Sequence, residues 1–464
     1  MKKLLLVAWS LCLVTSVFSQ TVSSKLKKAY QQFEGDSQLK HAVSSLYVID
    51  AKTGEVIFDK NSQVGLAPAS TQKIITSITA FELLGKGYRY KTEIAHAVRQ
   101  NPPLFEELSI LGYGDPTLGS WRYAATRPET IFSNIAAAMK KAGKIKINGP
   151  IVSYNNYFES GMIPGGWIWE DIGNYYGAGA GDLNWKENQF DLWMNPGKNE
   201  GDSVIIMRTE PHQEVKYINE LSTGPAGSGD NAYIYFNPRH GVITVKGTIP
   251  CCVDSFKISG ALVNPAPQVV DELSEFLRKE KISTLNFTMV NLSGDKAKKN
   301  ITPLYIHHSP PLDSIIYWFN KKSINLYGEA LVKTFAYEKQ GFGRTDSGVA
   351  IVRKFWKEKG LDEDELNIYD GSGLSPLNRV TTHVQVEILK YAKTKEWFSS
   401  FYNSLPEYNG MKIKSGTISD VKGFAGYHTA KDGKEYIFSF LVNNYTGRAS
   451  GLVNKMYKVL DVLK

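Results

Sequence analysis

Apolar residues alternate with period two across residues 45–59, at Leu46, Val48, Val56 and Phe58, and the turn residues Asp50-Ala51-Lys52-Thr53-Gly54 interrupt them. That pattern predicts a β-hairpin. The periodicity then changes. Ala67-Pro68-Ala69-Ser70 leads into an apolar run over 74–84 that closes on Gly85. Pro and Ser at the entry and Gly past the exit punctuate a helix. It is apolar on most sides, so it is expected deep inside its domain. A long middle region follows, rich in Gly, Trp and Tyr, as in Gly165-Gly166-Trp167-Ile168-Trp169 and Tyr175-Tyr176-Gly177-Ala178. Short strand candidates at 204–207, 233–236 and 242–245 are separated by loops such as 223–230, which predicts mostly β insertions. Helical patterns return after about residue 310, at 315–319, 327–337 and 348–359. The end reads as strands at 411–415, 423–428 and 436–443, then a helix over 451–463. Leu452, Met456, Leu460 and Leu463 share one face of that helix, expected to pack on the sheet and not on a membrane.

A chain of 464 residues exceeds one ordinary core, so two or three domains are expected. Its 42% apolar and 22% charged residues exclude a disordered or membrane-embedded class. The first residues read as an export signal. Lys2 and Lys3 precede an apolar segment over 4–17 that is short for a membrane span, and cleavage is expected after Ser19. An uncleaved anchor is the alternative. Export with no second anchor predicts the periplasm, with membrane contact at most peripheral. The formal net charge of +8 is dispersed without a dense arginine run, which argues against nucleic acid and suits an anionic partner. Of three cysteines, Cys12 falls in the signal. Cys251 and Cys252 are adjacent and expected as two thiols, one of them buried, with a vicinal disulfide as the alternative.

No metal motif, phosphate loop or G-x-S-x-G elbow appears, so no metal or cofactor is expected. The remaining nucleophile candidate is S-x-x-K at Ser70-Thr71-Gln72-Lys73. Residues i and i+3 sit one above the other on a helix, so the lysine amine reaches the serine hydroxyl. The amine must be neutral to take the proton, and burial in an apolar helix favours that form. Four other pairs share the spacing, but only Ser70 opens an apolar helix directly after a hairpin. A second element is Ser323-Ile324-Asn325, leading into a helix, where a hydroxyl relays a proton to a leaving amine and an amide holds a substrate carbonyl. A third is Lys414-Ser415-Gly416-Thr417 in an alternating strand. There a lysine binds a carboxylate, glycine admits close backbone approach, and the Thr417 N–H joins that of Ser70 as an oxyanion hole. Each element has a decoy: Ser153-Tyr154-Asn155 for the second, and Lys52-Thr53-Gly54, in the hairpin turn, for the third.

Taken in order, S-x-x-K, S-x-N and K-(S/T)-G resemble the scheme of serine β-lactamases and penicillin-binding proteins. The resemblance narrows further. Pro68-Ala69-Ser70-Thr71-Gln72-Lys73, Gly112-Tyr113-Gly114-Asp115-Pro116-Thr117-Leu118, Pro164-Gly165-Gly166-Trp167-Ile168-Trp169-Glu170-Asp171 and Asp370-Gly371-Ser372-Gly373-Leu374-Ser375 are similar to the D-alanyl-D-alanine carboxypeptidase/D-alanyl-D-alanine endopeptidase family, low-molecular-mass class C penicillin-binding proteins. Ser70 and Ser323 lie about 250 residues apart, which implies an inserted region, and this family carries one.

The resemblance implies an α/β (α+β) fold: a transpeptidase-like domain with an antiparallel sheet flanked by helices, plus two mostly β inserted domains. Its expected divisions are a signal at 1–19, a split catalytic domain at 20–92 and 301–464, one insertion at 93–178 and 262–300, and another at 179–261. It implies an acyl-enzyme on Ser70, with Lys73 as base, Ser323 as proton relay, and Asn325, Lys414, Ser415, Gly416 and Thr417 on the substrate. Asp171 occupies the position that recognises the free amine of a diaminopimelate side chain; the alternative is a carboxylate that caps a loop. Peptidoglycan stem peptides are the implied substrates and β-lactam antibiotics the implied inhibitors. A β-lactamase or esterase on the same scaffold, and a catalytically silent cell-wall binding protein, remain the competing readings.

Overall fold

Strands that read as continuous apolar runs, such as Glu435–Asn443, bury both faces, which requires layers above and below them. The computed structural model describes residues 21–99, 105–213, 215–237, 241–262, 264–285, 288–291 and 301–464, so the expected signal segment lies outside the described residues. The predicted hairpin forms as Val43–Asp50 and Val56–Lys60. It joins strands from the far end of the chain: Val43 pairs with Asn443 and Asp50 with Tyr436. The resulting six-stranded sheet runs Glu407–Tyr408, Met411–Ile418, Val421–Thr429, Glu435–Asn443, Val43–Asp50, Val56–Lys60.

Helices cover both faces of this sheet. On one side Val22–Glu34 and Ala449–Leu460 close a core around Leu26, Phe33, Phe440, Leu452 and Met456. The apolar stripe of the last helix is therefore spent on the sheet, as its spacing predicts. Among the described residues no helix is long and apolar enough to cross a membrane. On the other side lie Lys73–Leu84, Leu312–Lys322, Asn325–Gln340 and Thr382–Lys393, packed through Ile75, Ile78, Phe319, Leu331 and Leu389.

Between Leu84 and Leu312 the chain leaves this body. A five-stranded sheet forms in the order Thr288–Asn291, Ile151–Tyr154, Phe105–Gly112, Lys91–Arg99, Ile301–His308. The strand Ile301–His308, placed in the catalytic part by the expected divisions, pairs here with Lys91–Arg99, so a division drawn by pairing falls after His308. Helices Pro128–Lys141 and Pro265–Lys279 cover this sheet through Ile131, Ile135, Leu273 and Leu277, and the strand-rich sequence reading did not name them. Two three-stranded sheets sit beyond, sharing a core of Phe190, Leu192, Ile234, Val245 and Ile258. Their strand Gln189–Asn195 alternates buried and half-buried residues, the signature of a sheet covered on one face only. Cys251 and Cys252 are free thiols with their sulfurs 2.8 Å apart, and neither is buried, which corrects the expectation of one buried thiol.

Candidate active site

Ser70 lies on a short 3-10 turn, Ala69–Gln72, that runs into the helix Lys73–Leu84. Ala69 takes a left-handed conformation (φ 47°), which lifts the turn out of the approaching loop and leaves Ser70 half-buried at a cavity. Nine of the 12 helix residues are buried, Lys73 among them. Its Nζ meets three oxygens: Ser70 Oγ at 2.9 Å, Asn325 Oδ1 at 2.7 Å and the Ser372 carbonyl at 2.7 Å. Burial pushes the Lys73 ammonium down to about 7, against the opposing pull of Asp370 and Glu329. A neutral amine carries two hydrogens and one lone pair. The Asn325 and Ser372 oxygens accept only, so they take both hydrogens, and the lone pair faces the Ser70 hydroxyl. That is the arrangement a serine nucleophile requires.

Ser323 caps the helix Leu312–Lys322 in a left-handed conformation (φ 56°), and Asn325 opens the next helix, Asn325–Gln340. The tight link turns both side chains toward the cavity. Ser323 Oγ accepts a hydrogen bond from Lys414 Nζ at 3.1 Å, and Lys414 also donates to the Ser415 carbonyl at 2.8 Å. Burial drives the Lys414 ammonium well below its ordinary range, with the charges of Lys73 and Lys422 adding to the effect. Asn325 is already engaged at both ends: its Oδ1 takes Lys73, and its Nδ2 donates to the Tyr176 carbonyl at 2.7 Å. It ties the lysine to the insertion as well as facing the cavity.

Gly416 explains itself by space. A Cβ there would stand 2.6 Å from the Pro68 carbonyl oxygen and 2.9 Å from the backbone nitrogens of Ser70 and Thr71. The strand Met411–Ile418 thus runs against the Ser70 turn at a distance only glycine permits, and the Ser70 N–H is brought beside the strand that carries Thr417. Thr417 is exposed on the cavity, and Ser415 is half-buried on the same face of the strand.

The cavity holds about 430 Å³ and brings Ser70, Ser323, Asn325 and Thr417 together with Asp171 and Tyr233 from the insertions. Asp171 sits on the short turn Trp169–Ile172. Its carboxyl is raised to about 6 by burial and then by the charge of Glu170, with Tyr176 opposing. Arg122 and Glu187 line the same wall, joined by two bonds of 2.7 and 3.1 Å. Glu187 lies in three successive left-handed residues, Lys186, Glu187 and Asn188, and also accepts from Ser120 and Tyr327.

The loop 370–375, expected beside the site but without a catalytic role, forms its floor. Asp370 is fully buried and accepts from Gln72, Trp167, Gly373, Ser375 and Asn378. Its neighbour Ser372 supplies the carbonyl that holds Lys73. Glu329, also fully buried, accepts from the Gly371 N–H at 3.0 Å, and burial followed by the Asp370 charge raises its carboxyl to about 8. The available signal was local: an aspartate followed by Gly-Ser-Gly is an anion wrapped by successive N–H groups. Through Trp167 and Ser375, which bonds the Gly166 carbonyl at 3.0 Å, this floor grips the Pro164–Asp171 segment.

Residues 25–407 match the D-Ala-D-Ala carboxypeptidase 3 (S13) family. A D-alanyl-D-alanine carboxypeptidase from an Actinomadura species is 28% identical over 89% of this chain and 80% of the relative. The crystal structure of penicillin binding protein 4 (dacB) from Haemophilus influenzae superposes with a TM-score of 0.78, covering 95% of this chain and 99% of that one at 21% identity. A second structure of it, complexed with a β-lactam, gives 0.73 at 19% identity, over 94% and 98%.

Proposed function

We infer the reaction from one premise: the chain belongs to the D-Ala-D-Ala carboxypeptidase 3 (S13) family. It is accordingly a serine-type D-alanyl-D-alanine carboxypeptidase, a hydrolase of the penicillin-binding protein class, with the mixed α/β fold of penicillin binding protein 4. Its substrate class is peptidoglycan, and it binds β-lactams.

The finer proposal is a D,D-peptidase working through an acyl-enzyme on Ser70, on both carboxypeptidase and endopeptidase substrates. The observation that carries it is the Lys73 amine, buried and aimed at Ser70 Oγ from 2.9 Å. Lys73 takes the hydroxyl proton while Ser70 attacks the carbonyl of the penultimate D-Ala. The Ser70 and Thr417 N–H groups receive the oxyanion, worth about 10²–10³-fold. Ser323, bonded to Lys414, returns a proton to the leaving amine. Water then releases the acyl group. Asp171 lines the same cavity, where a cationic side chain of diaminopimelate type would offset the carboxylate's burial. We place the enzyme outside the cytoplasm, in the periplasm, delivered by the segment 1–19.

A fluorescent penicillin tests the acyl-enzyme. A stable covalent label on the wild type, absent from Ser70→Ala, is the expected result. Equal labelling of both proteins removes Ser70 from the mechanism. A transient label with rapid loss of the antibiotic marks a β-lactamase instead.

A further inference from the structure

Other deeply buried lysines of the molecule have oxygen-rich company. Lys333 donates to the Gly161 and Ala180 carbonyls and lies 3.4 Å from Glu159. Lys73 has two carboxylates nearby. Lys422 differs. It is 9% exposed, and its one hydrogen bond among the described residues goes to Thr417 Oγ1 at 2.7 Å. The Phe424 ring lies 5.0 Å from its Nζ, and no carboxylate among the described residues pairs with it. Burial brings its ammonium down to about 8. Lys414, close enough to feel that charge, also has hydroxyl and carbonyl partners only. Lys422 thus stands buried without a carboxylate partner among the described residues, bonded to a residue that lines the cavity.

Register explains how Lys422 reaches this place. Thr417 and Lys422 are direct partners across the antiparallel pair Met411–Ile418 and Val421–Thr429, so their side chains share one face of the sheet. An ammonium donates and has no lone pair. Thr417 Oγ1 must therefore accept from Lys422, and the hydroxyl hydrogen of Thr417 is left to point away from it. Thr417 is exposed and lines the cavity. Its O–H is set up as a donor to an incoming acceptor.

We propose that Lys422 is a positioning residue that orients the Thr417 hydroxyl toward the free α-carboxylate of the residue following the scissile bond and adds a positive charge behind it. The ligand class is set by place. Gly416 abuts the Ser70 nitrogen, so an anion held at Thr417 lies one residue beyond the attacked carbonyl. The proposal rests on the reading of Ser70 as nucleophile only for its position on the substrate.

The test compares an N-acylated peptide ending in D-Ala-D-Ala with the same peptide as its C-terminal amide. For Lys422→Met, KM for the carboxylate peptide should rise about tenfold while kcat moves less than about threefold, and the amide should be turned over as by the wild type. Lys422→Arg, which keeps the charge, should restore KM to within about threefold. Equal losses on both peptides, or an arginine variant as impaired as the methionine one at unchanged Tm, would overturn the proposal. Calorimetric binding of the two peptides to Ser70→Ala, with and without Lys422→Met, reads the same difference without chemistry: a weaker carboxylate complex supports the proposal and an unchanged one refutes it. Failure of penicillin to label the wild type rejects the Ser70 reading and leaves that binding comparison intact.

Discussion

On the sheet-and-helix side of the cavity, polar groups are buried and their partners are counted out. Asp370 accepts five hydrogen bonds, and Lys73 meets three oxygens within 2.9 Å. On the insertion side, Trp169 and Tyr175 stand 55% and 54% exposed, and the nearby carboxyls of Glu170 and Asp171 belong to a turn of four residues. The floor places reacting atoms within fractions of an ångström, which requires rigid, satisfied surroundings. The wall lines the cavity away from Ser70 and Lys73, and a half-solvated surface tolerates variation there. Substitutions of the groups that hold Ser70, Lys73 and Asp370 should therefore change kcat or folding, while those in the wall should change KM for particular substrates.

The largest effect belongs to Lys73→Ala. Loss of the proposed base should slow penicillin acylation by about 10²–10⁴-fold. Near-normal acylation would remove Lys73 from the role of base. Next is Gly416→Ala. The added Cβ meets backbone atoms of Pro68, Ser70 and Thr71, which give way less easily than a flexible side chain, so the strand must move off the Ser70 turn. A displacement of that kind costs on the order of 10²-fold in acylation. Gly165→Ala, in the insertion, has open space at its Cβ and should leave acylation within about twofold. If the two alanines behave alike, the contrast between rigid floor and tolerant wall fails. Asp370→Ala removes the acceptor of five buried donors and should lower folding stability by on the order of 3 kcal/mol or more, read as a fall in Tm.

A pH profile gives a smaller effect. Below about 7 the Lys73 ammonium holds the pair of electrons that Ser70 needs, and above it the amine is free. The acylation rate should rise about tenfold between about pH 6 and about pH 8 and then level off. A flat profile over this range would place the base elsewhere.

Much of the floor was legible because its signals are local. An apolar run bounded by Ala-Pro-Ala-Ser and Gly gives a helix start, and S-x-x-K there puts Lys73 one turn above Ser70 whatever the rest of the chain does. The C-terminal strands and helix were readable for the same reason. What local pattern omits is partnership. Nothing in residues 43–50 announces pairing with 436–443, and nothing in Asn325 announces that its Nδ2 is taken by the Tyr176 carbonyl. The burial of Asp370 and Glu329 was not legible, because a carboxylate's burial leaves no periodic trace: Asp370 sits in a polar loop and Glu329 in an otherwise apolar helix segment. Lys422 is the converse, a charge in an apolar strand whose meaning appears only from the register with Thr417.

Asp171 gives the finest test of the two halves. Its carboxyl lines the cavity with its pKa near 6, held there first by burial and then by Glu170. A cation bound beside it would favour the ionised form and strengthen its own binding, so the group is suited to an amine-bearing side chain. Asp171→Ala should raise KM for a diaminopimelate-containing peptide several-fold, about 1 kcal/mol for a partly exposed ion pair, and leave a simple acylated D-Ala-D-Ala peptide unchanged. Penicillin acylation and Tm should also stay as in the wild type, because none of the hydrogen bonds to Lys73 or Asp370 passes through Asp171. Equal changes in KM for both peptides would make Asp171 a carboxylate that merely shapes the loop. A fall in kcat for both would join the wall to the floor and end the division of labour between them.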